Sequence, residues 1–361
     1  MMKPRSLEIL RGKMKEKDKE IIRLLNERSQ ISVQIGKVKG EGGIQVYDPS
    51  QEAKVYNYLQ ELNSGPLRPA AVKAIFREIV SASRDLQRPT TIAFLGPEAT
   101  FSHLVSKLHF GDSCRFFPQN GIARVFDEVE KGTVDWGVVP VENSLEGSVN
   151  VTLDRLILTP LKIRAEIYLR ISECLISSAT SLKGIKNIYS HPQPLAQCQS
   201  WLRMNMPNCA LGEMESTAAA VQRVRDKKTE AAIGSSLAAQ CYGLNILAEG
   251  IEDNSSNMTR FLVIGRGEST ATGNDKTSLI FATPHSPGSL HSALSSFARR
   301  KINLAKIESH PVKDKLWEYS FFVDMIGHIK DKHVKSCLLE LKKKTTFLKI
   351  LGSYPKNEGA L

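Results

Sequence analysis

Residues 7–39 carry the feature that most narrows what this chain can fold into. Leu7, Leu10, Met14, Ile21, Leu24, Leu25, Ile31, Ile35 and Val38 recur at helical spacing, and no proline interrupts them. The pattern predicts a single helix of about 33 residues, roughly 50 Å long at 1.5 Å per residue. No small domain buries such a rod alone, so the helix is expected to lie against partners, most simply in a dimer. Glycines at 40, 42 and 43 break it. Tyr47-Asp48-Pro49 then reads as a helix start, with Asp48 as N-cap and proline at the first position. That second helix runs to about residue 63, where Ser64-Gly65-Pro66 ends it, and a third spans about 68–87. Arg88-Pro89-Thr90 reads as a linker closing an all-helical unit over residues 1–90.

Beyond it the pattern changes. Strand-like 92–95, 114–117 and 136–141 alternate with helix-like 98–110 and 122–131, the βαβαβ mark of an open α/β sheet. A second alternating set covers 188–246, and 260–264 reads as a late returning strand. Two α/β lobes imply a cleft between them, and such clefts bind small molecules. This assigns 91–270 to a second domain. Residues 271–276 form another linker, and 271–361 read strand, helix, strand, strand, helix, strand, the ferredoxin-like order. The full expectation is multidomain: an all-α unit of three helices, a two-lobed α/β domain and an α+β ferredoxin-like domain.

Composition removes several classes of function. The 361 residues are 41% hydrophobic and 24% charged, so intrinsic disorder is excluded as the main description. No run of apolar residues is long enough to span a membrane. The opening Met1-Met2-Lys3-Pro4-Arg5 leads into a charged segment, so no secretory signal is expected. Cys114, Cys174, Cys198, Cys209, Cys241 and Cys337 form no CxxC pair and are expected to be reduced, mostly buried thiols of a cytosolic protein. The histidines show no metal-ligand spacing, so neither metal nor cofactor is expected. The net charge of +11 concentrates in residues 1–40 (eleven basic, five acidic) and 299–349 (thirteen basic, six acidic). Neither end interleaves aromatics as a nucleic-acid surface would.

On the first helix, Arg28 and Lys39 are about 20° out of phase and share a face, while Arg11 lies roughly 100° from Arg28 and suits a different pocket. Asp48 with Glu52, and Ser83 with Gln87, are i, i+4 pairs. Cations and polar groups on a rigid helical frame suit a small dicarboxylate. Each residue also has a plain structural reading, as a solvated charge, a cap or a surface polar group. In the α/β region, three segments stand where open sheets place ligands: Glu142-Asn143-Ser144, Ser190-His191-Pro192-Gln193 with Gln197, and Thr259-Arg260-Phe261. Pro192 and Pro194 start a helix whose free N–H groups suit an anion.

Leu10-Arg11, Leu24-Leu25-Asn26-Glu27-Arg28, Gly36-Lys37-Val38-Lys39 and Tyr47-Asp48-Pro49 through Glu52 resemble the helical chorismate mutases. The resemblance implies an intertwined dimer in which one subunit lends Arg11 to the other's pocket. Arg28 and Lys39 would hold the carboxylates and ether oxygen of chorismate, Asp48 and Glu52 would lie near its ring hydroxyl, and Ser83 and Gln87 would complete the site. Lys39, Glu52 and Gln87 would be catalytic. Gln51 stands where the family usually has Arg, and it can form a reciprocal cap with Asp48.

Phe94-Leu95-Gly96-Pro97-Glu98-Ala99-Thr100-Phe101-Ser102, Gly137 through Ser144, and Thr259-Arg260-Phe261 resemble prephenate dehydratase, with Ala99 in place of a commoner Gly. The resemblance makes Thr259 the proton donor or relay at the departing hydroxyl of prephenate, with Glu142 a second catalytic residue. Asn143, Ser144, Ser190 and Gln197 would line the cleft, and Arg260 would anchor a carboxylate or support the cleft. Gly288-Ser289-Leu290 and Glu308-Ser309-His310-Pro311, with Glu318 through Asp324, resemble the phenylalanine-binding ACT domain, His310 replacing a usual Arg. Gly288, Ser289, Leu290, Glu308 and Ser309 would hold phenylalanine as a feedback inhibitor.

The resulting expectation is a bifunctional cytosolic enzyme converting chorismate to prephenate and then to phenylpyruvate, as a homodimer or larger homo-oligomer. A dehydratase whose mutase-like part mainly dimerises stays open, as does a non-catalytic amino-acid-binding regulator. Nucleic acid and membrane are not expected partners.

Overall fold

The computed structural model describes residues 4–311, 319–357 and 359. Met1 to Lys3 and Glu318, which figured in the sequence reading, lie outside the described residues.

Three helices come first: α1 (Pro4–Glu41), α2 (Pro49–Leu62) and α3 (Pro69–Gln87). There follow β1 (Thr91–Leu95), α4 (Phe101–Phe110), β2 (Arg115–Gln119), α5 (Ile122–Lys131), β3 (Trp136–Asn143), β4 (Gly147–Ser148), α6 (Asn150–Leu158) and β5 (Lys162–Arg170). The next run is β6 (Cys174–Ser177), β7 (Asn187–Ser190), α7 (Pro192–Gln197), α8 (Gln199–Asn205), β8 (Ala210–Glu213), α9 (Thr217–Arg223), β9 (Glu230–Gly234), α10 (Ser236–Tyr242) and β10 (Asn245–Glu249). β11 (Met258–Gly265) precedes β12 (Asp275–Ala282), α11 (Ser289–Ala298), β13 (Leu304–Pro311), β14 (Tyr319–Ile326), α12 (Lys332–Lys344) and β15 (Phe347–Pro355).

The chain divides into two compact units that do not follow the linear order. One contains the chain up to Asp48, Tyr56–Thr90 and Phe110–Arg115; the other contains Pro49–Val55, Thr91–His109 and everything from Phe116. The start of α2 is tied into the second unit by the Ser50 hydroxyl, which donates to the Thr270 carbonyl at 2.6 Å.

In the helical unit, α1 is as long as its periodicity demands, and its apolar stripe is exposed. Leu7, Leu10, Met14, Ile21, Leu24, Ile31, Ile35 and Val38 each keep between 44% and 65% of their surface open. The buried part lies elsewhere, where the ring of Tyr47 packs on Phe110 at 4.9 Å and the guanidinium of Arg84 sits over both rings. Gly36 lets α1 approach α3, since a Cβ there would come within 2.9 Å of Gln87 side-chain carbons.

The second unit holds three sheets. The first has the order β2-β1-β3-β11-β5, with β4 on β3; β1 and β3 are parallel, and β11 runs antiparallel to both neighbours. The second has the order β10-β6-β9-β7-β8. The late strand thus returns to the middle of the first sheet. The chain crosses between the sheets twice, and the crossings bond to each other: Ile171 N–H to Asn257 carbonyl at 2.9 Å, Ile251 N–H to Glu173 carbonyl at 3.1 Å. The third sheet, β13-β14-β12-β15, is antiparallel throughout. Its one face packs on α11 and α12 through Phe281, Phe297, Val334 and Leu341. Its other face shares a core with the first sheet through Ile280, Phe322, Leu351 and Tyr354.

Some elements differ from expectation. The helix expected from residue 98 starts at Phe101, because Ala99 takes a φ of +66° in a turn. That left-handed conformation suits glycine, which fits the commoner Gly there. β5 and β6 were not expected, although β5 carries a full alternation of Ile163, Ala165, Ile167 and Leu169 with polar residues; β6 is only four residues long, and in β5 the intervening Arg164 and Glu166 are buried as well. Of the six cysteines only Cys174, Cys198 and Cys337 are fully buried, and Cys241 is exposed.

Candidate functional site

In the helical unit the structure brings α1 and α3 together at the predicted polar residues. The Arg28 guanidinium donates to the Ser83 hydroxyl, which itself donates to the Ile79 carbonyl at 2.7 Å. Ser83 is buried and so cannot be merely a surface polar group. One turn on, the Gln87 amide oxygen is buried without a hydrogen-bond partner. An unsatisfied buried acceptor costs stability, which leaves this oxygen open to a donor from outside the chain. Lys39 donates to the Val46 carbonyl at 2.8 Å, which turns its ammonium toward the segment leading into Asp48. Asp48 and Glu52 are half-buried one turn apart at the start of α2, while Gln51 and Arg11 are exposed.

In the first α/β sheet the order is stricter. Asn143 and Thr259 are register partners on β3 and β11. The Asn143 amide nitrogen donates to the Thr259 hydroxyl oxygen at 2.9 Å and to the Asn257 side-chain oxygen at 2.8 Å. Its oxygen accepts the backbone N–H groups of Leu145 and Glu146 at 2.9 and 3.1 Å. Those two N–H donors fix which end of the amide faces Thr259. With its oxygen receiving from Asn143, the Thr259 hydroxyl keeps its own proton for another acceptor. Asn257 extends the chain to the second lobe, donating to the Gln197 side-chain oxygen at 3.2 Å. Ser144 closes the same loop, donating to the Ser256 carbonyl at 3.2 Å and accepting Met258 N–H at 2.9 Å.

Sequence reasoning missed Asn257. The available signal was its place two residues before Thr259, on the same face of an extended segment.

Two predicted residues lie on the other face. Glu142 and Arg260 are register partners on the same strands, one position from Asn143 and Thr259, and alternation turns their side chains away from that pair. Arg260 is buried, 2.9 Å from the Glu166 carboxylate and also paired with Asp324. The expected carboxylate anchor is therefore already engaged by protein carboxylates, which leaves it the supporting role. Glu142 meets Lys306 of β13 at 2.8 Å, so its carboxylate is not beside the Thr259 hydroxyl. Ser190 is fully buried and donates to the Ile233 carbonyl at 2.9 Å, holding β7 to β9. At the start of α7, one N–H is already taken, Gln193 donating to the His191 ring at 3.4 Å.

In the third sheet, Ser289 and Leu290 help line a cavity of about 390 Å³ with Thr283, Pro284, Tyr319 and Phe321. Gly288 stands at the start of α11 with a φ of +78°. Glu308 and Ser309 are adjacent on β13 and face opposite ways: Ser309 is exposed, and Glu308 lies 2.9 Å from Lys306. His310 is bonded to Asp154 at 2.8 Å.

Residues 10–88 match the type II chorismate mutase family, 92–269 the prephenate dehydratase family and 277–343 the ACT domain. A bifunctional chorismate mutase/prephenate dehydratase of Aquifex aeolicus is 43% identical over 354 residues, covering 97% of this chain and 98% of that protein. The chain belongs to the bifunctional chorismate mutase/prephenate dehydratases. Both enzyme activities and the ACT domain of that family are therefore its own. Among solved structures, a prephenate dehydratase from Arthrobacter aurescens in complex with L-Phe is 34% identical with a TM-score of 0.68, covering 74% of this chain and 90% of that one. A protein described as a quorum-quenching acylase reaches the same TM-score at 28% identity, over 74% of this chain and 98% of that one. The fold alone thus does not fix the reaction, and the mutase/dehydratase assignment rests on the full-length match and the residues.

Proposed function

We propose that chorismate binds in the helical unit at Arg28, Lys39, Ser83 and Gln87, with Asp48 serving its ring hydroxyl. The rearrangement to prephenate needs no nucleophile: the pocket holds the reactive conformer and stabilises negative charge on the breaking ether bond. A second copy of the chain covers the exposed stripe of α1 and brings its own Arg11 to the pocket. Burying each such aliphatic side chain is worth about 1.5–3 kcal/mol, which supports a dimer. We place the mutase, dehydratase and ACT boundaries near residues 90 and 270, and the enzyme in the cytoplasm. No helix among the described residues is long and apolar enough to cross a membrane.

Prephenate binds in the cleft beside Thr259, Asn143, Asn257 and Gln197. Its ring carboxylate leaves as carbon dioxide, the freed electron pair enters the ring, and hydroxide departs with a proton delivered through Thr259. Asn143 holds the Thr259 oxygen, so the hydroxyl proton points to the leaving group. This one contact carries the reading. Phenylalanine, the end product of the pathway, binds in the cavity at Ser289 and Leu290 and inhibits dehydration, supported by the ACT match and the L-Phe complex. The test is Thr259→Ala: dehydration is lost while mutase activity stays. Normal phenylpyruvate formation by that variant contradicts the assignment.

A further inference from the structure

The two residues that turn away from the dehydratase site are each held by the ACT sheet. Glu142 and Arg260 face each other across β3 and β11; Lys306 and Asp324 face each other across β13 and β14. Glu142 pairs with Lys306 at 2.8 Å, and Arg260 pairs with Asp324. A cross-strand acid–base pair on one sheet is thus clasped by a complementary cross-strand pair on the other. The sequence neighbours of the clasped residues are Asn143 and Thr259, bonded to each other across the same two strands.

We propose that Glu142 and Arg260 are positioning residues for the dehydratase, and that Lys306 and Asp324 couple the state of the ACT sheet to the Asn143–Thr259 contact. The two arms differ physically. Arg260 and Asp324 are almost wholly buried, with Glu166, Lys276, Ser278 and Tyr354 around them. Burial alone would lower the Arg260 pKa, but Tyr354, Asp324 and Glu166 more than offset it, and Asp324 is held below the usual carboxylate range. This arm is a fixed anchor.

The Lys306 arm is more open, with side-chain exposures of 18% for Lys306 and 37% for Glu142. Lys306 is also shared: the Glu308 carboxylate lies 2.9 Å from the same ammonium, and the Ser148 hydroxyl 3.5 Å. Glu308 belongs to the motif resembling the phenylalanine-binding segment, next to outward-facing Ser309. A shift of that segment on ligand binding moves Lys306 between Glu308 and Glu142. The end of β3 then moves, and with it the amide that orients Thr259. This inference rests on the proposed role of Thr259.

The experiment uses the full-length enzyme, with mutase activity in the same molecule as the control for folding. Lys306→Met is expected to lower dehydratase kcat about tenfold, since a misplacement of ~1 Å can cost ~10²-fold. The KM for prephenate stays within about twofold, as expected for lost transition-state alignment. Phenylalanine still binds by calorimetry but no longer changes kcat. Lys306→Arg restores both kcat and inhibition, whereas the exchange Glu142→Lys with Lys306→Glu restores kcat but not inhibition, because Glu308 no longer has a cation at 306 to compete for. Thr259→Ala runs beside them. If Thr259→Ala keeps dehydrating, the site assignment fails and the clasp with it. If Thr259→Ala is inactive while Lys306→Met shows normal kcat and normal inhibition, the clasp alone is wrong. If Lys306→Arg and the exchange both fail to restore kcat, Lys306 acts as packing and the coupling role is likewise wrong.

Discussion

The Asn143 side-chain nitrogen stands 2.9 Å from the Thr259 hydroxyl oxygen, across two antiparallel strands whose register makes the residues direct neighbours. Two backbone N–H groups hold the far end of the amide, so Asn143 can only donate to Thr259. Asn143→Asp replaces that donor by a carboxylate beside the Thr259 oxygen. Dehydratase kcat is expected to fall by roughly 10²-fold, the scale for losing one oriented hydrogen-bond donor. Mutase activity is expected to be unchanged, and a parallel assay of both reactions checks it. A kcat within twofold of wild type would show that Thr259 needs no such orientation.

Arg28 joins α1 to Ser83 on α3, and Gln87 waits one turn further with an unpartnered oxygen. Arg28→Ala should therefore reduce mutase kcat/KM by roughly 10²–10³-fold and leave prephenate turnover alone. Gln51 is exposed near Glu52, in the position where the family usually carries a cation. Gln51→Arg is expected to lower the KM for chorismate several-fold, about 1 kcal/mol for one added exposed charge contact. Steady-state kinetics at low ionic strength measure it; an unchanged or raised KM means position 51 faces away from substrate.

Much of this arrangement was legible in the sequence. The periodicity of α1, the βαβαβ alternation and the ferredoxin-like order of the third sheet all follow from local patterns, and the structure has them. What escaped notice depends on partners distant in sequence. The alternation of Ile163, Ala165, Ile167 and Leu169 made β5 itself legible, but the burial of Arg164 and Glu166 between them becomes tolerable only with partners such as Ser269 and Lys276, about a hundred residues away. The facing of Glu142 and Arg260 was recoverable in principle. Adjacent strand residues point to opposite faces, so Glu142 and Asn143 could not both serve one side of the sheet.

Glu173 and Glu252 sit on the two crossings between the lobes, and the Glu252 carboxylate accepts the Glu173 N–H at 2.9 Å. Burial, and then the negative charge of Glu252, push the Glu173 carboxyl up to about 8. An acid whose folded-state pKa is raised binds its proton more tightly when folded. Its contribution is intact below the ordinary carboxylate range and is lost progressively as pH rises toward 8. Glu173→Gln should flatten that decline, raising the melting temperature at pH 8 by several degrees, at roughly 2–4 °C per kcal/mol, and changing it little at pH 5. Thermal melts across pH 5–9 decide it; an equal shift at both ends would remove the ionisation as its cause.

Gly288 starts α11 with a φ of +78°, and no atom lies within 4 Å of where a Cβ would stand. The cost of alanine there is thus backbone strain alone, about 1–2 kcal/mol. It falls beside Ser289 and Leu290, which line the cavity assigned to phenylalanine. Gly288→Ala is expected to raise the phenylalanine concentration needed for half-inhibition about tenfold or more, with uninhibited dehydratase and mutase rates intact. Titrating phenylalanine against prephenate turnover reads this directly. An unaltered inhibition curve would place the effector elsewhere.

The central claim is that one chain holds two separate sites, one around Arg28 and Ser83 and one around Thr259 and Asn143. The most direct measurement is a time course from chorismate, following prephenate and phenylpyruvate, for wild type, Arg28→Ala and Thr259→Ala. Wild type should pass through prephenate to phenylpyruvate. Thr259→Ala should accumulate prephenate at the normal rate and stop there, and Arg28→Ala should leave chorismate almost untouched yet convert added prephenate normally. Loss of both steps in either variant, or phenylpyruvate formed by Thr259→Ala at the wild-type rate, would contradict the account.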